Sequence, residues 1–178
     1  GKVQIVNQLR VRHCPIATLP IGFATMRATI DITGTKIDPE KLPPELRAKT
    51  EELLHSNGLR MPSVYVGGIM HEADAAARTQ EMALGIAAIC KPFGCTGVVN
   101  NPNPKPKNEE KTDAELVLQG EMLNRLGGAL KAQGMELRIH NHTPEMVSGA
   151  REFRSTLKTT DPRLVAICLD IDWVSQGD

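Results

Sequence analysis

Aromatic side chains make up only 3% of this sequence, too few for the stacking platforms on which single-stranded nucleic acid is held. Charge of neither sign is in excess. The 21 Lys and Arg residues are matched by 21 Asp and Glu, so no net field draws in a polyanion or an anionic membrane. Nucleic-acid and membrane partners are therefore not expected. Long apolar runs are also missing: no segment approaches the roughly 18 residues of a membrane span, and the N-terminus lacks the basic, apolar and small-residue order of a leader. A soluble, cytoplasmic protein is the expectation. Cys14, Cys90, Cys95 and Cys168 form no CxxC pair, and Cys90 and Cys168 lie within apolar runs. Buried reduced thiols are expected rather than disulfides or a zinc knot.

What the sequence does have is apolar content of 40% over 178 residues, enough for one domain, residues 1–178, with a sizeable core. Short apolar runs alternate with longer stretches of helical period. The runs Val3–Val6, Ala28–Ile32, Ser63–Val66, Gly97–Asn100, Glu136–His140 and Leu164–Leu169 read as strands, their starts separated by 25, 35, 34, 39 and 28 residues. Between them lie helix signals. Asp38 is placed to cap a helix with Pro39 at its first position, and Gly58 to end it in a left-handed turn. Met82, Ile86 and Ile89, at spacings of four and three, predict the buried face of the next helix. Thr112-Asp113-Ala114-Glu115 reads as a capping box, followed by a stripe of Leu123, Leu126 and Leu130 and a stop at Gly134. Residues 9–25 show no clean helical period, and 100–111, rich in Asn, Pro and Lys, reads as a long loop in which Lys105, Lys107 and Lys111 form a solvated face.

Strands alternating with helices imply a parallel sheet with right-handed crossovers. Two architectures satisfy this, a (β/α)8 TIM barrel and a doubly wound open sheet. A barrel needs about 31 residues per unit, close to the spacings here, and no glycine-rich phosphate turn follows any strand. The barrel is preferred, incomplete at about six β/α units.

Polar residues gather after the fifth and sixth strands, in Ile139-His140-Asn141-His142-Thr143-Pro144-Glu145 and Leu169-Asp170-Ile171-Asp172-Trp173. Strand alternation would put His140 and His142 on one side and Asp170 and Asp172 on one side of the next strand. Four potential ligands then converge on neighbouring strands about 4.8 Å apart. Burying so much polarity without use costs about 1 to 3 kcal/mol for each unsatisfied group, so a functional site is expected. Glu145 reads equally well as the first-turn acid of a helix entered through Thr143 and Pro144. Asn7, Gln8, Gly67, Gly68, His71, Asn100 and Asn101 stand at other strand ends, the active face of a barrel.

These segments resemble two motifs of the xylose isomerase-like TIM-barrel superfamily, in particular its sugar phosphate isomerase/epimerase members. Gly134-Met-Glu-Leu-Arg-Ile-His-Asn-His-Thr-Pro-Glu145 is similar to the fifth-strand stretch, and Asp161-Pro-Arg-Leu-Val-Ala-Ile-Cys-Leu-Asp-Ile-Asp-Trp173 to the one running into the sixth. The register extends back to about Ala48, through Gly58-Leu59, Gly94-Cys95 and Asn100-Asn101-Pro102. The resemblance implies one divalent ion (Mn, Mg, Zn or Co) and proton transfer next to the carbonyl of a sugar or sugar phosphate. Metal ligands are implied at Asp170 and at His140 or Glu145, since the position that is glutamate in many members is His140 here. Glu145 and His142 are the implied catalytic pair, and Asn101, His142 and Trp173 line the implied sugar site; Asn7 joins them by its place at a strand end. In the family, strands seven and eight add a metal-binding histidine and a second catalytic glutamate, and six units account for this sequence as far as Asp178. A fragment, or one part of an assembly, is expected. A polyol dehydratase would use the same constellation; a catalytically silent partial barrel would act by self-association as a homo-oligomer; an endonuclease of abasic DNA is disfavoured by zero net charge.

Overall fold

A computed structural model describes residues 8–10, 29–31 and 44–177. Strands β1 (Gln8–Arg10) and β2 (Thr29–Asp31) pair in parallel. Helix α1 (Pro44–Ser56) leads to β3 (Ser63–Tyr65), α2 (Ala73–Cys90), β4 (Gly97–Asn100), α3 (Asp113–Ala132), β5 (Glu136–His140), α4 (Thr143–Thr159), β6 (Val165–Cys168) and the short α5 (Ile171–Ser175). Strands β3 to β6 form one parallel sheet in chain order, and β2 packs beside β3. A doubly wound sheet reverses its order at a switch point. Here every strand neighbours its successor, which is the winding of a barrel wall, so the partial α/β barrel expected from the spacing is the observed architecture.

The local reasons are those read from the sequence. Gly58 ends the turn after α1 at φ +61°, its N–H donating to the His55 carbonyl. The capping box closes as expected, with the Thr112 N–H donating to Glu115 Oε2 at 2.6 Å and the Glu115 N–H to Thr112 Oγ1 at 3.3 Å. Lys105 adds a salt bridge to Glu115; the Thr112 N–H and this ammonium hold the Glu115 carboxyl down at about 2. Leu123, Leu126 and Leu130 pack on Leu137, Ile139 and Val98 of the sheet. The first strand expected at Val3–Val6 and the Asp38 and Pro39 cap lie outside the described residues.

Helix α2 differs from expectation. Ile89 is buried as expected, but Met82 is exposed and Ile86 only partly buried, while Ala76, Thr79, Ala83, Ala87 and Cys90 form the inward face. Apolar spacing could not choose between two apolar stripes. Cys90 and Cys95 are buried free thiols and Cys168 is partly buried; burial, then the neighbouring Cys95, pushes the Cys90 thiol up to about 12.

Helix α3 meets the start of β6 at Gly127. A Cβ there would fall inside contact distance of the Leu164 carbonyl oxygen, a backbone atom that cannot rotate away. Gly127→Ala is expected to lower stability by about 1 to 3 kcal/mol through overpacking, despite alanine's better helix propensity; an unchanged or raised melting temperature would refute this packing.

Candidate functional site at the strand ends

The carboxyl ends of β4, β5 and β6 carry the polar cluster. Strand β5 ends at His140, and the backbone then turns so that His142 becomes the N-cap of α4 with Pro144 in the first turn. The expectation that His140 and His142 share one strand side is thus corrected: only His140 belongs to the strand. The two rings still meet edge to face, centroids 4.7 Å apart, because the turn folds His142 over the strand end. Tyr65 from β3 packs edge-on to His140 at 6.0 Å and Trp173 from α5 to His142 at 5.1 Å. These rings make a wall across the strand ends.

Glu145 takes the helix-start position that its sequence context predicts. It lies in the first turn of α4, where its Oε2 accepts from the His142 N–H at 2.7 Å. Yet it is only 4% exposed, and its Oε1 accepts from Asn101 Nδ2 at 3.3 Å. Burial pushes its carboxyl up to about 7; the His142 N–H and Lys111 pull down, and Glu152 pushes up. A neutral-range carboxyl is suited to proton transfer. Asn101 ties the group together, donating to the His140 carbonyl at 2.9 Å while its Oδ1 lies 2.9 Å from His142 Nδ1.

The sixth-strand pair is also corrected. Strand β6 stops at Cys168; Asp170 caps α5, its Oδ1 accepting from the Asp172 N–H at 3.0 Å. Asp172 therefore sits in a helical turn, exposed to solvent, and does not share a strand face with Asp170. Asp170 Oδ2 is 3.9 Å from His140 Nε2. Two metal bonds of about 2.1 Å span that gap at an angle of about 135° at the ion, wider than a tetrahedral pair. Among the described residues no three His, Cys, Asp or Glu groups are gathered closely enough to hold a metal. The imidazole and carboxylate thus suit a divalent ion in type, as two ligands of a larger set, while Glu145 is directed at His142 and Asn101.

Residues missed in the sequence also shape the site. Asn141 is buried and clamps β5 to the end of β6, accepting from the Asp170 N–H at 2.8 Å and donating to the Asp170 carbonyl at 3.0 Å. A side chain that copies both bonds of a strand ladder leaves no spacing signal. Lys111, expected on a solvated face, is 3% exposed and paired with Glu152. Asn100 points to the opposite side from Asn101, donating to the Val66 carbonyl, and His71 is buried. Asn7 lies outside the described residues.

No protein-family model matches the sequence, and no curated protein matches it. Solved structures do. A sugar phosphate isomerase/epimerase from Parabacteroides distasonis superposes with a TM-score of 0.64 at 20% identity, over 84% of this chain and 57% of that one. The chain has the fold of part of a TIM barrel. An L-ribulose 3-epimerase follows with a TM-score of 0.62 at 19% identity, over 83% of this chain and 51% of that one. A xylose isomerase-like TIM barrel protein from Mycobacterium smegmatis, in complex with magnesium, gives 0.54 at 16% identity, over 78% and 50%. The chain spans about half the length of these barrels. No helix among the described residues is long and apolar enough to cross a membrane.

Proposed function

We propose that the chain is part of a sugar isomerase or epimerase that moves a proton next to the carbonyl of a sugar or sugar phosphate. The observation that carries this reading is Glu145, a buried carboxyl with its pKa lifted to about 7 at the strand ends of a fold whose solved examples include enzymes named for that chemistry. In the reaction a base takes the proton from the carbon beside the carbonyl, the C–H electron pair becomes a carbon–carbon double bond, and the carbonyl oxygen takes up the displaced pair. Returning a proton to the other face gives the epimer, and to the neighbouring carbon the isomer. Glu145 and His142 hold and move that proton; Asn101 orients both. Trp173 and His142 offer ring faces to the apolar side of a sugar, and Asn7 is proposed for the same site. His140 and Asp170 would hold a divalent ion, with the remaining ligands from elsewhere in the complete barrel. When bound, such an ion polarises a carbonyl oxygen.

The test is deuterium uptake. Purified protein supplied with Mn²⁺, Mg²⁺, Zn²⁺ or Co²⁺ is incubated in D₂O with ketoses and their phosphates, metal content is read by mass spectrometry, and exchange at the carbon beside the carbonyl is read by NMR. Exchange that chelation abolishes is expected; none with any sugar or metal would sink the reading.

A second reading, self-association, has its own observation. Ile167, Leu169, Ile171 and Val174 are exposed on β6, α5 and the turn between them, and among the described residues nothing pairs with the outer edge of β6, an arrangement that invites strand addition. It predicts an oligomer at micromolar concentration in sedimentation; a stable monomer argues against it.

A further inference from the structure

Helix α4 is broken just behind the site. Val147 is extended, and Ser148, Gly149 and Ala150 have φ of 54°, 65° and 58°, a left-handed run that non-glycine residues adopt only at a cost in strain. The first turn, which carries Glu145, is therefore not held to the body of α4 by continuous helical hydrogen bonding. Something else must place it.

The loop between β4 and α3 grips both pieces. At its start, Asn101 reaches Glu145 and the His140 carbonyl, with its Oδ1 beside the His142 ring. At its end, Lys111 reaches the other side of the break: its Nζ donates to Glu152 Oε1 at 2.5 Å and to Gln119 Oε1 at 2.9 Å, while Gln119 Nε2 donates to Glu152 Oε1 at 3.0 Å. Arg151 Nη1 donates to the Lys111 carbonyl at 2.7 Å, Arg151 Nη2 pairs with Asp113, and the Ser148 hydroxyl donates to Glu110. We infer that the buried Lys111–Glu152 pair is a positioning device: it fixes the loop to the body of α4, so that Asn101 can hold Glu145 and His142 in place across the broken helix. Burying an ion pair is a poor route to stability, because desolvation offsets the attraction and an apolar pair of similar volume often serves as well. A closed hydrogen-bond triangle nonetheless fixes one geometry.

The role bears on the isomerase reading, but its test does not use turnover. In the triple variant Lys111→Met/Gln119→Leu/Glu152→Leu, in which no buried amide is left without its partners, the melting temperature is expected to equal or exceed that of the wild type. The Asn101 side-chain amide and His142 ring NMR signals should meanwhile shift or broaden, and those of Asn57 beyond α1 stay put. Unmoved Asn101 and His142 signals in this variant would overturn the inference. Arg151→Met, which removes the part-exposed clip to the Lys111 carbonyl, Asp113 and Glu110, serves if the triple variant does not fold; smaller shifts of the same signals are expected, and their absence overturns the proposal equally. A protein that shows these shifts but no sugar exchange would lose the isomerase reading and keep the positioning role.

Discussion

Glu145→Gln is expected to make the protein progressively more stable, relative to wild type, as pH rises from 4.5 to 8. The carboxyl ionises at about 7 in the folded chain and near 4.3 when unfolded. Between those values the native state therefore binds more protons than the unfolded state, and wild-type stability falls as pH rises through the window. A difference of about 2.7 units corresponds to about 4 kcal/mol in full, each unit being about 1.4, and about 3 kcal/mol of it falls between pH 4.5 and 8. Glutamine does not titrate, so the gap between variant and wild type should grow by about that amount between pH 4.5 and 8. Some constant penalty is expected because the new amide faces Asn101 Nδ2, which donates to the carboxylate in the wild type; it shifts both ends of the comparison equally. Urea unfolding at the two pH values, with chelator present, measures the growth. A gap that stays flat would show that the carboxyl ionises like a surface glutamate.

Asp170→Asn should separate charge from shape. Asparagine is as good an N-cap as aspartate, so the bond from the Asp172 N–H survives, and the clamp from Asn141 uses only the Asp170 backbone. Stability is expected to change by less than about 1 kcal/mol. A divalent-ion site built on His140 and Asp170 loses its anionic oxygen, so affinity in the metal-loaded protein should fall by about 10- to 100-fold or more. Calorimetric titration with Mn²⁺ and Zn²⁺ reads the affinity and thermal unfolding reads the fold. A lower melting temperature with unchanged metal affinity would reassign Asp170 to a purely structural role.

The sequence determined on its own whatever depends on neighbours along the chain. Strand spacing fixed parallel β/α units wound as a barrel, and the Thr112–Glu115 box, Gly58 and Gly134 marked helix ends because caps and left-handed turns are set by a few adjacent residues. The stripe Leu123, Leu126 and Leu130 named its own buried face. The segment from His140 to Glu145 and the pair Asp170 and Trp173 could be picked out because polarity at strand ends is written in order.

Only the tertiary structure decided how those residues meet. Strand alternation failed at His142 and Asp172, since each strand ended sooner than its polar tail suggested and the next helix began there. Glu145 and Lys111 both carry charges that solvent normally claims; that one is buried beside Asn101 and the other beside Glu152 depends on partners 44 and 41 residues away. The small-residue face of α2 was likewise chosen by its packing in the core. Burial and pairing of this kind are properties of contacts distant along the chain, and no local pattern of residues specifies them.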